Sequence, residues 1–119
     1  MKETGILGIG VDIEDIDRFR KLPYKKNKSF YEKIFTKKEI VYCLKKTDPY
    51  PSFAVRFAAK EAVIKALPDK NKKFKSAKSF QSVEILMRWK KPYIKINGKN
   101  IFISLSHEKE KAIAFAICV

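Results

Sequence analysis

Apolar residues are spaced differently in the two halves of the chain. They open as one glycine-spaced run, continue at helical spacing, and alternate with polar or small residues from residue 83 onward. Residues 5–13, Gly-Ile-Leu-Gly-Ile-Gly-Val-Asp-Ile, predict a buried first strand. Glu14 to Lys21 reads as a short helix stopped near Pro23. Tyr24 to Ser29, with Lys25, Lys26 and Lys28, reads as an exposed loop. Thr36-Lys37-Lys38-Glu39 has capping-box spacing, in which a hydroxyl and a carboxylate three residues on satisfy the free amides of a helix start. A helix from about Lys37 to Lys46 should follow.

The clearest element comes next. Pro51 suits a first helical turn, where its missing N–H costs nothing. Phe53 to Leu67 is rich in alanine and other good helix formers, and Pro68 forbids continuation. Ala54, Ala58, Glu61 and Lys65 share one face, with Phe53, Phe57 and Ile64 as an adjoining apolar stripe. The small residues would let another backbone approach closely, which makes Glu61 an unusual neighbour unless it has a partner. Residues 69–79 are lysine-rich and aperiodic, a loop. Val83, Ile85, Met87 and Trp89 then alternate, as do Ile94 and Ile96, followed by the hairpin signal Asn97-Gly98. Ile101, Ile103 and Leu105 alternate again. The final strand sets bulky Ile113, Phe115 and Ile117 against small Ala112, Ala114, Ala116 and Cys118, a face suited to packing under a helix. The expected fold is α+β, a mostly antiparallel sheet covered by the helix of residues 51–67.

Length adds that residues 1–119 make a single domain, large enough to bury about two-thirds of its unfolded surface. No apolar run approaches the ~20 residues of a membrane span, and Met1-Lys2-Glu3-Thr4 leads into a poor secretion signal. Cys43 and Cys118 form no CxxC pair and read as buried thiols, which suits a reducing, cytoplasmic setting. Charge changes the picture more. Lys and Arg number 27 against 13 acids, a formal +14, and such a surface attracts polyanions without choosing among them.

Candidate chemistry begins at Gly8-Ile9-Gly10. A dinucleotide fingerprint fails there, because Ile13 stands where the third glycine would be and Asp12 would repel a pyrophosphate. An aspartate at a strand end tolerates phosphates only with a cation between them, which suggests magnesium. Asp12 and Glu61 are the acids that could supply such a site. Glu14 would share the Asp12 side if the strand continued, and Glu61 could equally pair with Lys65 four residues on. His107, the only histidine, follows Ser104-Leu105-Ser106 and could contact a phosphate or act as acid or base.

Together, Gly8-Ile9-Gly10-Val11-Asp12-Ile13 with Arg18, Arg56-Phe57-Ala58-Ala59-Lys60-Glu61-Ala62 with Lys65-Ala66-Leu67, and Ser104-Leu105-Ser106-His107 resemble the holo-acyl-carrier-protein synthase family, the short phosphopantetheinyl transferases. The blocks span nearly the whole chain. The resemblance implies transfer of the 4′-phosphopantetheine group of coenzyme A to a serine of an acidic acyl carrier protein, releasing adenosine 3′,5′-bisphosphate. It implies a magnesium site from Asp12 and Glu61, with Glu14 a conceivable third ligand. Glu61 and Lys65 would be catalytic, and Arg56, Lys60, Lys65 and His107 would bind the cofactor, Lys65 and the Arg56–His107 pair at its phosphates. Arg18 would meet the carrier. Glu61 or a water near it would take the serine proton. A homotrimer with active sites between subunits is implied, without membrane or nucleic-acid partners. The family's usual glycine-rich turn after Leu67 is replaced by Pro68-Asp69-Lys70-Asn71-Lys72-Lys73, whose lysines could hold phosphates instead. A small basic nucleic-acid-binding domain, using aromatics such as Tyr24, Tyr31 and Tyr50, is the alternative.

Overall fold

The computed structural model describes residues 5–68, 77–95 and 100–119. Strand β1, Gly8–Asp15, leads into helix α1, Ile16–Arg20, a 3-10 turn at Tyr24–Lys26, and helices α2, Lys28–Ile34, and α3, Lys37–Leu44. Helix α4, Tyr50–Ala66, and the short α5, Ala77–Ser82, are followed by β2, Glu84–Arg88, β3, Lys91–Lys95, β4, Ile101–His107, and β5, Lys111–Cys118. All strand pairs are antiparallel, in a three-stranded sheet ordered β1-β5-β4 and a separate β2-β3 hairpin. The α+β architecture with a long central helix is therefore present, its sheet split in two.

Helix α4 lies on one face of the three-stranded sheet. That contact is close because the strands bring almost no side chain to it. A Cβ added at Gly8 would stand 2.0 Å from the Ala66 carbonyl oxygen, and one at Gly10 would stand 1.9 Å from that of Ala62. Beside them Ala112, Ala114, Ala116 and Cys118 are buried along β5, the small-faced strand that the alternation predicts. The glycine spacing of residues 8–10 thus serves backbone packing.

The opposite face of the sheet is apolar and uncovered. Ile9, Val11 and Ile13 on β1 are 59%, 50% and 60% exposed, so β1 is half-buried where a buried strand was expected. In register beside them stand Ile117, Phe115 and Ile113 on β5, with Phe102 beyond on β4.

Other expectations are met with adjusted boundaries. The first helix begins at Ile16, because β1 continues to Asp15. The capping box at Thr36 is complete: the Glu39 amide donates to Thr36 Oγ1 at 3.3 Å, and the Thr36 amide donates to Glu39 Oε1 at 2.8 Å. Helix α3 ends two residues early, at Leu44. The supposed loop 24–29 holds the 3-10 turn and the start of α2, whose Tyr31 and Ile34 are buried. Tyr31 donates to the Leu22 carbonyl at 2.7 Å inside an aromatic core with Phe19, Phe35 and Phe53. Lysines at 25, 26 and 28 conceal that helix in the sequence.

In place of a continuing loop, residues 77–82 form α5. Residues 69–76, with the lysine segment after Leu67, lie outside the described residues, as does Asn97-Gly98. Among the described residues a hairpin closes at Trp89 and Lys90, with φ of 54° and 64°. Both residues adopt the left-handed conformation of a two-residue turn. That conformation costs roughly 1–2 kcal/mol per residue away from glycine. Cys43 and Cys118 are buried free thiols, as expected. No helix among the described residues is long and apolar enough to cross a membrane.

Gly10→Val should test the close contact. The new side chain meets backbone that cannot yield, so stability should fall by about 1–3 kcal/mol or more, as overpacking costs. Chemical denaturation of the variant measures it, and unchanged stability would mean that α4 and β1 are further apart than described.

Candidate active site

Gly8, Gly10, Asp12 and Glu14 alternate along the face of β1 that meets α4. Once Gly10 lies on Ala62, Asp12 is carried next to the following turn of the helix, where Glu61 and Lys65 emerge. Lys65 donates to the Val11 carbonyl at 3.1 Å and stands 3.5 Å from Asp12 Oδ1. The ion pair of Lys65 is therefore with Asp12, not with Glu61 as i,i+4 spacing allows. The other Asp12 oxygen, Oδ2, is buried and has no hydrogen-bond partner.

Burial and the Asp12 charge disfavour ionisation of Glu61 and Glu14 at this corner. The Glu61 carboxyl is pushed up from its ordinary range, first by burial and then by the Asp12 charge, against the opposing pull of Lys65 and Arg18. Glu14 is pushed up to about 8, again chiefly by burial, with the nearby Asp12 carboxylate adding to it and Arg18 opposing. Burial and a neighbouring negative charge thus raise two carboxyls here, in spite of Lys65 and Arg18. An orphaned carboxylate oxygen beside such a group is the donor set that a hard cation prefers. No three His, Cys, Asp or Glu side chains among the described residues converge closely enough to hold a metal ion alone. Asp12 and Glu61 thus fit magnesium in its usual mode, in which one or two carboxylates are completed by phosphate and water. Glu14 is engaged elsewhere: Arg18 Nη1 bonds its Oε1 at 3.0 Å. Arg18 is also held over the rings of Phe19 and Phe57 at 5.9 and 5.5 Å, with its side chain half-exposed.

A second cluster forms near the start of α4. A cavity of about 410 Å³ is lined by Lys46, Ser52, Arg56, Lys90, Ser106 and His107 among others. Arg56 is buried, with its guanidinium 4.2 Å from the Tyr42 ring centroid, and its Nε has no hydrogen-bond partner. His107 is the last residue of β4. The structure brings Arg56 and His107 together, as expected, and adds Lys46 and Lys90, which no motif singled out. None of Asp12, Glu61 and Lys65 lines this cavity. The described residues thus form an acidic corner and, apart from it, a basic pocket.

Lys60 belongs to neither, which corrects its expected role. It is fully buried, with Nζ 2.8 Å from Glu39 Oε1 and donating to the carbonyls of Phe80 and Val83 at 2.6 and 2.7 Å. Glu39 Oε2 in turn accepts from the Ile85 amide at 2.8 Å. Burial pulls the Lys60 ammonium down from its ordinary range while Glu39 resists. Lys60 ties α4 to α3, α5 and β2 and has no face for a cofactor. Tyr31, an exposed aromatic in the nucleic-acid reading, is likewise fully buried.

Residues 8–118 match the family model of the 4′-phosphopantetheinyl transferase superfamily. A holo-[acyl-carrier-protein] synthase of Thermodesulfovibrio yellowstonii is 42% identical over 115 residues, 94% of this chain and 97% of that protein. Among solved structures, a holo-(acyl-carrier-protein) synthase from Bacillus anthracis in complex with CoA (3′,5′-ADP) superposes with a TM-score of 0.76 and 28% identity, covering 95% of this chain and 96% of that one. The Helicobacter pylori holo-[acyl-carrier-protein] synthase in complex with coenzyme A gives 0.74 and 27%, covering 93% and 99%.

Lys60→Met should lower stability by about 3–5 kcal/mol, because it strands the buried Glu39 carboxylate. Adding Glu39→Leu should recover much of that loss. Denaturant titration of the three proteins measures both steps, and a single variant as stable as the parent would contradict the buried pair.

Proposed function

The chain belongs to the 4′-phosphopantetheinyl transferase superfamily and is a phosphopantetheinyl transferase, and we propose that it moves the 4′-phosphopantetheine arm of coenzyme A onto a serine of an acidic acyl carrier protein, releasing adenosine 3′,5′-bisphosphate in a magnesium-dependent reaction. The observation that carries this reading is the partnerless Asp12 Oδ2 beside Glu61 and Lys65. Asp12 and Glu61 would hold magnesium, which when bound neutralises charge on the pyrophosphate oxygens. Lys65 moves from Asp12 to those oxygens. The serine oxygen attacks the phosphorus on the pantetheine side, the bond to the nucleotide phosphate breaks, and the serine proton passes to Glu61 or a water beside it. Arg56 and His107, with Lys46, hold the nucleotide's phosphates. Arg18, beside the acid cluster and half-exposed, meets the carrier. Buried free cysteines agree with a reducing, cytoplasmic setting.

The two half-sites lie apart on one chain, and the sheet face bearing Ile9, Val11, Ile13 and Phe115 is bare. A homotrimer that covers this face and sets one subunit's acids against its neighbour's basic pocket answers both facts. Exposed apolar patches of this kind mark interaction surfaces.

Mass spectrometry of an apo carrier protein incubated with coenzyme A and magnesium tests the reaction: one phosphopantetheine gained on a serine supports it, and an unmodified carrier overturns it. Glu61→Gln keeps the shape but removes charge, so turnover should fall at least about a hundredfold. The melting temperature should hold or rise, since a carboxylate is removed from beside Asp12. Normal turnover with unchanged magnesium dependence would remove Glu61 from the site. In sedimentation the parent should run as a trimer and Phe115→Glu as a smaller species with little activity. A monomeric parent with full turnover would contradict the shared site.

A further inference from the structure

The turn between β2 and β3 carries a residue that neither the fold nor the proposed reaction uses. Trp89 and Lys90 both have positive φ, in a turn normally built from Asn-Gly or Asp-Gly. A bulky side chain is a rare occupant of that conformation. Trp89 recovers nothing by packing, because it is 90% exposed. The hairpin beneath it is well made: Met87 pairs with Pro92, Arg88 with Lys91, and the Arg88 guanidinium sits 4.9 Å from the Tyr93 ring centroid. A strained, unpacked aromatic on a braced hairpin points to something outside the folded chain.

Its surroundings suggest what that is. Lys90, its neighbour in the turn, lines the basic pocket together with Met87 and Pro92. Within that pocket are Lys46, Arg56 and His107, and the buried Arg56 Nε there has no partner. Cations suited to phosphate therefore extend to Lys90, the turn residue next to the exposed Trp89. A nucleotide has the matching arrangement, with phosphates and a flat aromatic base joined by one ribose.

We infer that Trp89 is the stacking face for the nucleobase of the nucleotide whose phosphates occupy the Arg56–His107 pocket, an assignment that rests on the phosphopantetheinyl-transfer reading above. An aromatic face binds any base through its π surface and reads no particular hydrogen-bonding edge. Trp89 thus contributes affinity for the nucleotide half of coenzyme A and none for the pantetheine half. The braced hairpin holds the indole in place before ligand arrives.

Trp89 is the only tryptophan in the chain, so emission at fixed protein concentration reports on this position alone. Adenosine 3′,5′-bisphosphate and coenzyme A should quench it, and inorganic phosphate and 4′-phosphopantetheine should not. Trp89→Gly relieves the positive φ, so its melting temperature should hold or rise. Its KM for coenzyme A should nevertheless increase about five- to a hundredfold, the span that loss of one base–aromatic stack brings. Trp89→Phe should retain most of the affinity. Calorimetric binding of the bisphosphate without any change in emission would overturn the assignment and leave the transfer reading intact. So would Trp89→Gly with the parent's KM, or with a reduced sedimenting mass, which would make Trp89 a subunit contact. Absence of calorimetric coenzyme A binding by the parent protein would overturn both readings together.

Discussion

The distance between α4 and the two strands beneath it governs the rest of the molecule. Gly8 and Gly10 bring their backbone against the carbonyls of Ala66 and Ala62, and alanines and a cysteine on β5 keep the neighbouring strand equally near. Asp12, two residues past Gly10 on the same face, is drawn into a half-dry corner beside Glu61. In that corner burial and the Asp12 charge push the Glu61 carboxyl up, and one Asp12 oxygen is left without a partner. Packing creates this state, since the same acids on a solvated surface would be satisfied by water.

Small residues at that interface have a second consequence. They bury little apolar area, so the helix–sheet layer provides less hydrophobic stabilisation than bulky side chains would. Two other features make up for it. One is the aromatic core of Phe19, Tyr31, Phe35 and Phe53 between the short helices and α4. The other is the Lys60–Glu39 pair, in which each partner's remaining hydrogen-bonding capacity is taken by backbone of α5, β2 or the α3 cap. A buried pair stabilises only when completed in this way, and its value lies as much in fixing how four elements meet as in energy.

The bulky halves of β1 and β5 face the other way, where Ile9, Val11, Ile13, Ile113 and Phe115 are exposed. A sheet covered on one side only stands beside an acidic corner and a basic pocket that share no lining residue. The proposed trimer answers both features with one set of contacts, so apolar burial and the joining of the two half-sites would be a single event.

Much of this was legible in the chain. Local rules sufficed for the capping box at Thr36, the long helix ended by Pro68, and the small-faced final strand, because each depends on neighbours within a few residues. The family blocks likewise singled out Asp12, Arg18, Arg56, Glu61, Lys65 and His107. Tertiary structure alone decided the rest. It separated Lys60 from Glu61: adjacent in RFAAKEA, they point about 100° apart on a helix, one into a closed ionic network and one toward Asp12. It showed Gly8 and Gly10 of the first strand to be a packing surface, because only the arrival of α4 shows what the absent side chains make room for. It exposed Ile9, Val11 and Ile13, since alternation divides a strand into two faces without saying whether both are covered. It gathered Lys46 and Lys90 beside Arg56 and His107, four basic residues from separate elements whose meeting is a property of the folded chain and of no stretch of its sequence.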